Sequence, residues 1–308
     1  MEFSDEHMAA LVKRGFVVVP KFLEGEELAG AVGNMGRYFP SVEELEGTPE
    51  RYGFIHEDPE HLQVEFPFAG SALNSITVGG KVREIVRKLL KTDEILLSQA
   101  AVWAKYAGTG DFEQGLHLDY QGNTLVVPRD DGAYRQVNMI LYYTDVTMEM
   151  GPTYVVPAEK TQGVPMWPTH RTRKGDPGMY KEERPVLAGA GDLLIFSMRT
   201  WHRASAMLAE RGVRLTHHMV WRAKEHAFQG YHLWAQKGEE PGMMEFIENS
   251  QAAEREVLGF PKAGDAYWNE ETVAAVKMRY PGMDVRMYRK RKVGTKGEKG
   301  TNGGKIKS

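Results

Sequence analysis

Apolar positions recur along the chain with a period that changes from segment to segment. Met8, Leu11 and Val12 recur at helical spacing behind Ser4, a candidate N-cap followed by acids, and Gly15 ends that helix. Phe16-Val17-Val18-Val19 reads as a short buried strand, Pro20 to Leu23 as a turn, and Glu24 to Tyr38 as a second helix. Residues 40–60, with Pro40, Pro49 and Pro59, are polar and read as loop. Leu62 to Phe68 alternates as a strand does, and Val78 to Leu90 carries Ile85 and Leu89 at helical period. Ile95 to Tyr106, Gln136 to Val146, Tyr154 to Val156, Leu193 to Phe196 and Leu215 to Trp221 are further strands. Met243 to Leu258 and Glu270 to Tyr280 read as helices bracketed by Pro241, Pro261 and Pro281.

Several strands without regular βα alternation predict a sandwich or barrel, mainly β with flanking helices, rather than a doubly wound sheet. We expect one domain over 1–288, with a core at about 95–223 and a helical extension at about 241–288. Residues 289–308 hold five glycines, eight Lys/Arg and one Glu. They have too little apolar surface to offset ordering entropy, so we expect a disordered basic tail.

Composition narrows the chemistry. The 308 residues include no cysteine, which removes disulfides, thiolate metal sites and a cysteine nucleophile. Ten histidines remain, so a metal here must be held by imidazole and carboxylate. The net charge is −3 and the basic tail makes the body more acidic still, which disfavours a nucleic-acid partner. No apolar run is long enough for a membrane span, and the opening MEFSDEHMAA does not read as a secretory signal, so a cytoplasmic protein is expected.

Three local features carry candidate chemistry. In Leu116-His117-Leu118-Asp119-Tyr120, an extended backbone projects His117 and Asp119 to one face. A histidine on a facing strand would complete a 2-His-1-carboxylate triad, although a lone H-x-D is common by chance. Gly191-Asp192 launches the apolar strand Leu193 to Phe196, after which the chain presents His202. Then Arg214 opens an alternating strand that places Arg214, Thr216 and His218 on one face and Leu215, His217 and Met219 on the other. An arginine fork on a pocket-facing strand matches a carboxylate bidentately. Of the adjacent His217 and His218 only one can face a metal, and the pair reads as a core group and a surface group. His56, His61 and His170 lie in expected loops within possible reach of a substrate.

In this order the three features resemble the phytanoyl-CoA dioxygenase family of Fe(II)/2-oxoglutarate oxygenases, over roughly Glu6 to Trp221. The opening Gly15-Phe16-Val17-Val18-Val19 with Phe22-Leu23 is similar to the family's start. Tyr142-Tyr143-Thr144-Asp145-Val146, Glu149-Met150-Gly151-Pro152 and Val155-Val156-Pro157 are similar to its central strand, turn and strand. The resemblance implies a double-stranded β-helix core of jelly-roll, cupin-like type. It implies His117, Asp119 and His202 as iron ligands and Arg214 as partner of the distal carboxylate of 2-oxoglutarate, with Arg211 as competitor. We prefer Arg214 because Arg211 lies in the turn Glu210-Arg211-Gly212.

Many relatives carry a hydroxyl residue two positions after the distal histidine. Here Ala204 stands there and Ser205 follows, so Thr216 is the substitute hydroxyl. The strand before the H-x-D presents Gln99, Ala101, Trp103 and Lys105 on one face, and by similarity Gln99 and Trp103 line the pocket. Trp103 also reads as plain core. Asn138 in its apolar strand needs a partner if buried, which favours the pocket.

The activity implied is oxidation, foremost hydroxylation, of a small-molecule substrate with Fe(II), O2 and 2-oxoglutarate, by a monomer or homodimer. Asp119 argues against halogenation, since related halogenases lack that carboxylate. The alternatives are a catalytically inactive ligand-binding protein of the same fold and a metal-dependent hydrolase.

Overall fold

The computed structural model describes residues 3–57, 62–109, 112–122, 135–225 and 234–289. Among the described residues, eleven strands form two antiparallel sheets. They are β1 (Phe16–Val19), β2 (Gln63–Glu65), β3 (Ile95–Tyr106), β4 (Leu116–His117), β5 (Gln136–Tyr142), β6 (Thr153–Val155), β7 (His170–Arg171), β8 (Arg184–Val186), β9 (Leu193–Ser197), β10 (His202–Arg203) and β11 (Val213–Ala223). The larger sheet has the order β1-β9-β5-β11-β3-β2 and the smaller β7-β4-β10-β6-β8. Ile140, Tyr142, Leu194 and Phe196 of the first pack against Val155 and Val186 of the second, so the sheets stack face to face as a jelly roll.

The flanking helices are α1 (Asp5–Arg14), α2 (Gly25–Met35), α3 (Val42–Gly47), α4 (Phe54–Glu57), α5 (Ala72–Thr77), α6 (Gly80–Leu90), α7 (Pro177–Glu182), α8 (Pro241–Asn249), α9 (Ala252–Glu256) and α10 (Glu270–Arg279). α6 lies across β3, β5 and β11 on the outer face of the larger sheet. That is why β5 is buried at every position: Asn138, Ile140 and Tyr142 face the smaller sheet, while Val137, Met139 and Leu141 join the helical core. The C-terminal helices join that same core through Met243, Phe246, Ile247 and Val273, and the Val257 carbonyl accepts from Leu97 N of β3 at 2.8 Å.

The expected elements are largely present, with differences of physical interest. Ser4 caps α1, accepting from His7 N at 3.3 Å, and Gly15 closes it at φ 81°. Val12, however, is 77% exposed and off the buried stripe. Residues 40–60 are not a plain loop. Ser41 and Glu44 form a reciprocal cap on α3, and Pro49 begins a 3-10 turn, positions where proline and polar residues start helices. The Leu62 to Phe68 strand shrinks to β2, since Pro67 has no N–H for a ladder. The helix expected from Met243 to Leu258 breaks at Ser250, where Gln251 N donates to Glu254 Oε2 at 2.7 Å and starts α9. His61 and residues 290–308 of the basic tail lie outside the described residues, as does the side chain of His56.

The Gly191-Asp192 turn is structural. Asp192 accepts from Gly189 N and Lys21 N, each at 2.8 Å, and Gly191 sits at φ 91° with its carbonyl accepting from Leu23 N at 3.0 Å. A Cβ at Gly191 would collide with the Leu23 carbonyl oxygen. Gly191→Ala is therefore expected to destabilise the fold by about 2–4 kcal/mol, through strained φ and backbone displacement together. Urea unfolding measures this, and a change below about 0.5 kcal/mol would contradict the close approach.

Candidate active site

Between the sheets lies a cavity of about 370 Å³. All eight residues singled out from the sequence line it: Gln99 and Trp103 from β3, His117 and Asp119 at β4, Asn138 from β5, His202 from β10, and Arg214 and Thr216 from β11. Residues as far apart in sequence as Gln99 and Thr216 thus converge because all but Asp119 sit on inward-facing registers of their own strands, and Asp119 directly follows β4. No described residue of the C-terminal helices reaches the cavity, so they form part of the core and not its cap.

His117 and His202 are opposite one another in the β4–β10 ladder. Asp119 follows β4 at the start of a 3-10 turn and reaches both. Its carboxylate oxygens stand 3.3 Å from His117 Nε2 and 3.2 Å from His202 Nε2, and one ligand atom from each residue lies within 4.8 Å of the others. Each imidazole is oriented from behind. His117 Nδ1 is 2.9 Å from the Gly115 carbonyl and His202 Nδ1 is 3.0 Å from the Thr200 carbonyl. Both Nδ1 atoms therefore carry the proton and donate, leaving the Nε2 lone pairs converging on one point. Burial opposes the Asp119 charge, but the two imidazoles outweigh it and hold its carboxyl well below the usual range. Burial also opposes the charged form of His117, and Asp119 overcomes it, raising that pKa.

At the far end of the same face stands Arg214, opposite Lys105 across β11–β3. Its guanidinium donates to the Gly151 carbonyl, and its buried Nε has no hydrogen-bond partner among the described residues. Burial lowers its pKa from the ordinary arginine value. Arg211 is elsewhere: it is solvated and paired with Glu43 and Glu46 at 2.7 and 2.9 Å. Of the two arginines weighed from the sequence, only Arg214 lines the cavity.

Other expectations sort in the same way. Ser205 turns away and donates to the Pro152 carbonyl at 2.7 Å, while Ala204 lines the cavity. Thr216 Oγ1 is 3.1 Å from His218 Nε2. His217 is the satisfied core group, between Thr77 Oγ1 at 3.1 Å and Tyr143 OH at 3.0 Å. The expectation of one core and one surface group in this pair does not hold, because His218 is not at the surface. It lines the cavity beside Trp103, and burial, then the Arg214 charge, push its pKa down to about 3. His170 is on β7 rather than in a loop, its ring stacked on His117 at 5.8 Å. Trp103 Nε1 and Asn138 Nδ2 are buried without partners among the described residues, and Asn138 Oδ1 accepts from Gln136 at 3.3 Å. Lys105, Phe112, Gln114 and Phe196 are lining residues not selected from the sequence. Strand alternation already put Lys105 on the right face; the others required the fold.

A family model described as phytanoyl-CoA dioxygenase matches residues 11–214. Among solved structures, HygX from Streptomyces hygroscopicus with nickel and 2-oxoglutarate bound aligns with a TM-score of 0.53 at 15% identity, covering 72% of this chain and 88% of that one. SnoK, a non-haem alpha-ketoglutarate-dependent carbocyclase from nogalamycin biosynthesis, aligns with 0.51 at 18% identity, over 72% and 84%. EctD from S. alaskensis in its apoform aligns with 0.52 at 16% identity, over 75% and 81%. At such identities the likeness establishes the fold. No curated protein matches the chain. No described helix is long and apolar enough to cross a membrane. The family match spans more than half of the chain and runs from Leu11 in α1 to Arg214 in β11, so the chain belongs to the phytanoyl-CoA dioxygenase family of Fe(II)/2-oxoglutarate-dependent oxygenases.

Proposed function

We propose that the protein hydroxylates a small molecule, with His117, Asp119 and His202 holding Fe(II) and Arg214 holding the distal carboxylate of 2-oxoglutarate. One observation carries this reading. A three-ligand cluster and a half-buried arginine with no acidic partner among the described residues share one cavity. Two neutral imidazoles and one carboxylate are a donor set suited to Fe(II), and they leave positions on the metal open. The Arg214 charge lacks a counterion that a dicarboxylate would supply. HygX, as solved with nickel and 2-oxoglutarate, is a protein of this fold that takes a metal and the same diacid together.

When bound, Fe(II), O2 and 2-oxoglutarate supply the oxidising chemistry, yielding succinate, CO2 and one oxygen atom for the substrate. The chain's own residues do the rest. The Gly115 and Thr200 carbonyls fix the imidazole tautomers. Arg214 neutralises the far carboxylate, and Thr216 offers a hydroxyl beside it. Trp103 Nε1, Asn138 Nδ2 and the Gln99 amide offer hydrogen bonds to oxygen atoms in the cavity. Ile140 and Phe196 make its walls apolar and limit water. Asp119 fills the position that a halide would need, which favours hydroxylation over halogenation. We read residues 1–288 as a single oxygenase domain, since the C-terminal helices share the core of the larger sheet.

Anaerobic addition of Fe(II) and 2-oxoglutarate is expected to give a weak visible charge-transfer band. An inactive binding protein or a hydrolase of the same fold would not show it, and its absence in iron-loaded protein would overturn the reading.

A further inference from the structure

Each histidine of the cluster sits on a two-residue strand, and β4 and β10 share a single register pair. So short a ladder cannot fix the separation of two imidazoles unaided. Immediately beside it lies a charge cluster whose central pair, Arg203 and Glu183, is buried. Arg203, next to His202, is 3% exposed. Its Nε and Nη2 donate to the two oxygens of Glu183 at 2.7 and 2.9 Å, and its Nη1 donates to Glu113 Oε1 at 2.7 Å. Glu183 follows α7, and Glu113 lies four residues before His117.

The same cluster reaches β4 by a second route. The Arg203 guanidinium lies 4.5 Å from the Tyr154 ring and 5.9 Å from the Tyr180 ring. Tyr180 OH accepts from Leu116 N at 3.0 Å and donates to the Arg171 carbonyl at 2.9 Å, tying β4 to β7. Arg173 stands 3.7 Å from both Glu113 and Glu183, so two cations face two anions. Gln114 N donates to the Ala204 carbonyl at 3.2 Å, and Ala204 N donates back to Gln114 Oε1 at 3.1 Å. One planar, five-donor fork thus joins the residue after one ligand histidine to the segment before the other.

We propose that Arg203, gripped by Glu183 and Glu113, is a positioning residue for the metal centre: it sets the spacing of His117 and His202 and so governs metal affinity. This rests on the reading of His117, Asp119 and His202 as metal ligands. A purely structural ion pair would affect folding stability and leave the metal affinity of the folded protein unchanged.

The test is anaerobic titration of the apoprotein with Fe(II), and with Co(II) for its visible spectrum. Arg203→Met alone would strand the buried Glu183, so the variant is Arg203→Met with Glu183→Gln, which removes both charges. In folded double variant, judged by its circular dichroism, the metal dissociation constant is expected to rise about 10- to 100-fold, with an altered Co(II) band. Arg203→Lys keeps the charge but loses the fork and is expected to fall between; it carries the test alone if the double variant does not fold. Arg211→Met with Glu46→Gln, a surface pair, serves as control and is expected to match the parent. Unchanged metal affinity and Co(II) spectrum in the folded Arg203 variants would overturn the proposal. Failure of the parent protein itself to bind either metal would instead overturn the metal-site reading.

Discussion

His117→Ala and Asp119→Ala are each expected to abolish substrate-dependent succinate formation, a loss of about 10³-fold or more. The basis is geometric. Three ligand atoms lie within 4.8 Å of one another, and each variant leaves two. Loss of a partner behind a metal ligand typically costs about 10- to 100-fold in affinity or activity, and loss of the ligand itself must exceed that. The folded apoprotein should survive both changes, since neither side chain belongs to the apolar clusters. Activity, metal content and thermal midpoint, measured together, separate the outcomes. Retained turnover in either variant would remove that residue from the ligand set.

Arg214→Met is expected to raise the 2-oxoglutarate concentration for half-maximal succinate formation by about 100-fold, because two charge-assisted hydrogen bonds contribute about 1.5–3 kcal/mol each. The same variant is expected to keep or gain thermal stability without cosubstrate. Desolvating a guanidinium costs energy, and among the described residues its protein partner is one neutral carbonyl, that of Gly151. A methionine of similar length removes that cost and fills the space. Arg211→Ala is expected to leave both quantities at the parent's values, since it loses only exposed ion pairs with Glu43 and Glu46. A raised requirement in Arg211→Ala with none in Arg214→Met would reverse the assignment of the two arginines.

Legibility followed element length and regularity. β3, β5, β9 and β11 are long or strongly apolar, and their alternation placed Gln99, Trp103, Asn138, Arg214 and Thr216 on inward faces. β4, β7 and β10 are two residues each, too short for any period, and there His117 and His202 stood out through order and residue type alone. The short helices between Ser41 and Glu57 were hidden because prolines and polar residues mark loops and helix starts alike. The expectation of a surface histidine in the His217–His218 pair failed because alternation tells which face a residue shares but not which face is wet.

The sequence by itself determined the mainly β class, the absence of thiol chemistry, and the residues able to form an imidazole–carboxylate site. These depend on composition and on period, which are local properties. The tertiary structure decided which arginine enters the cavity, that Ser205 turns out of it, and that Arg203 joins the two short histidine strands. Those outcomes depend on register between strands 100 residues apart, where a shift of one position would send every side chain to the opposite face.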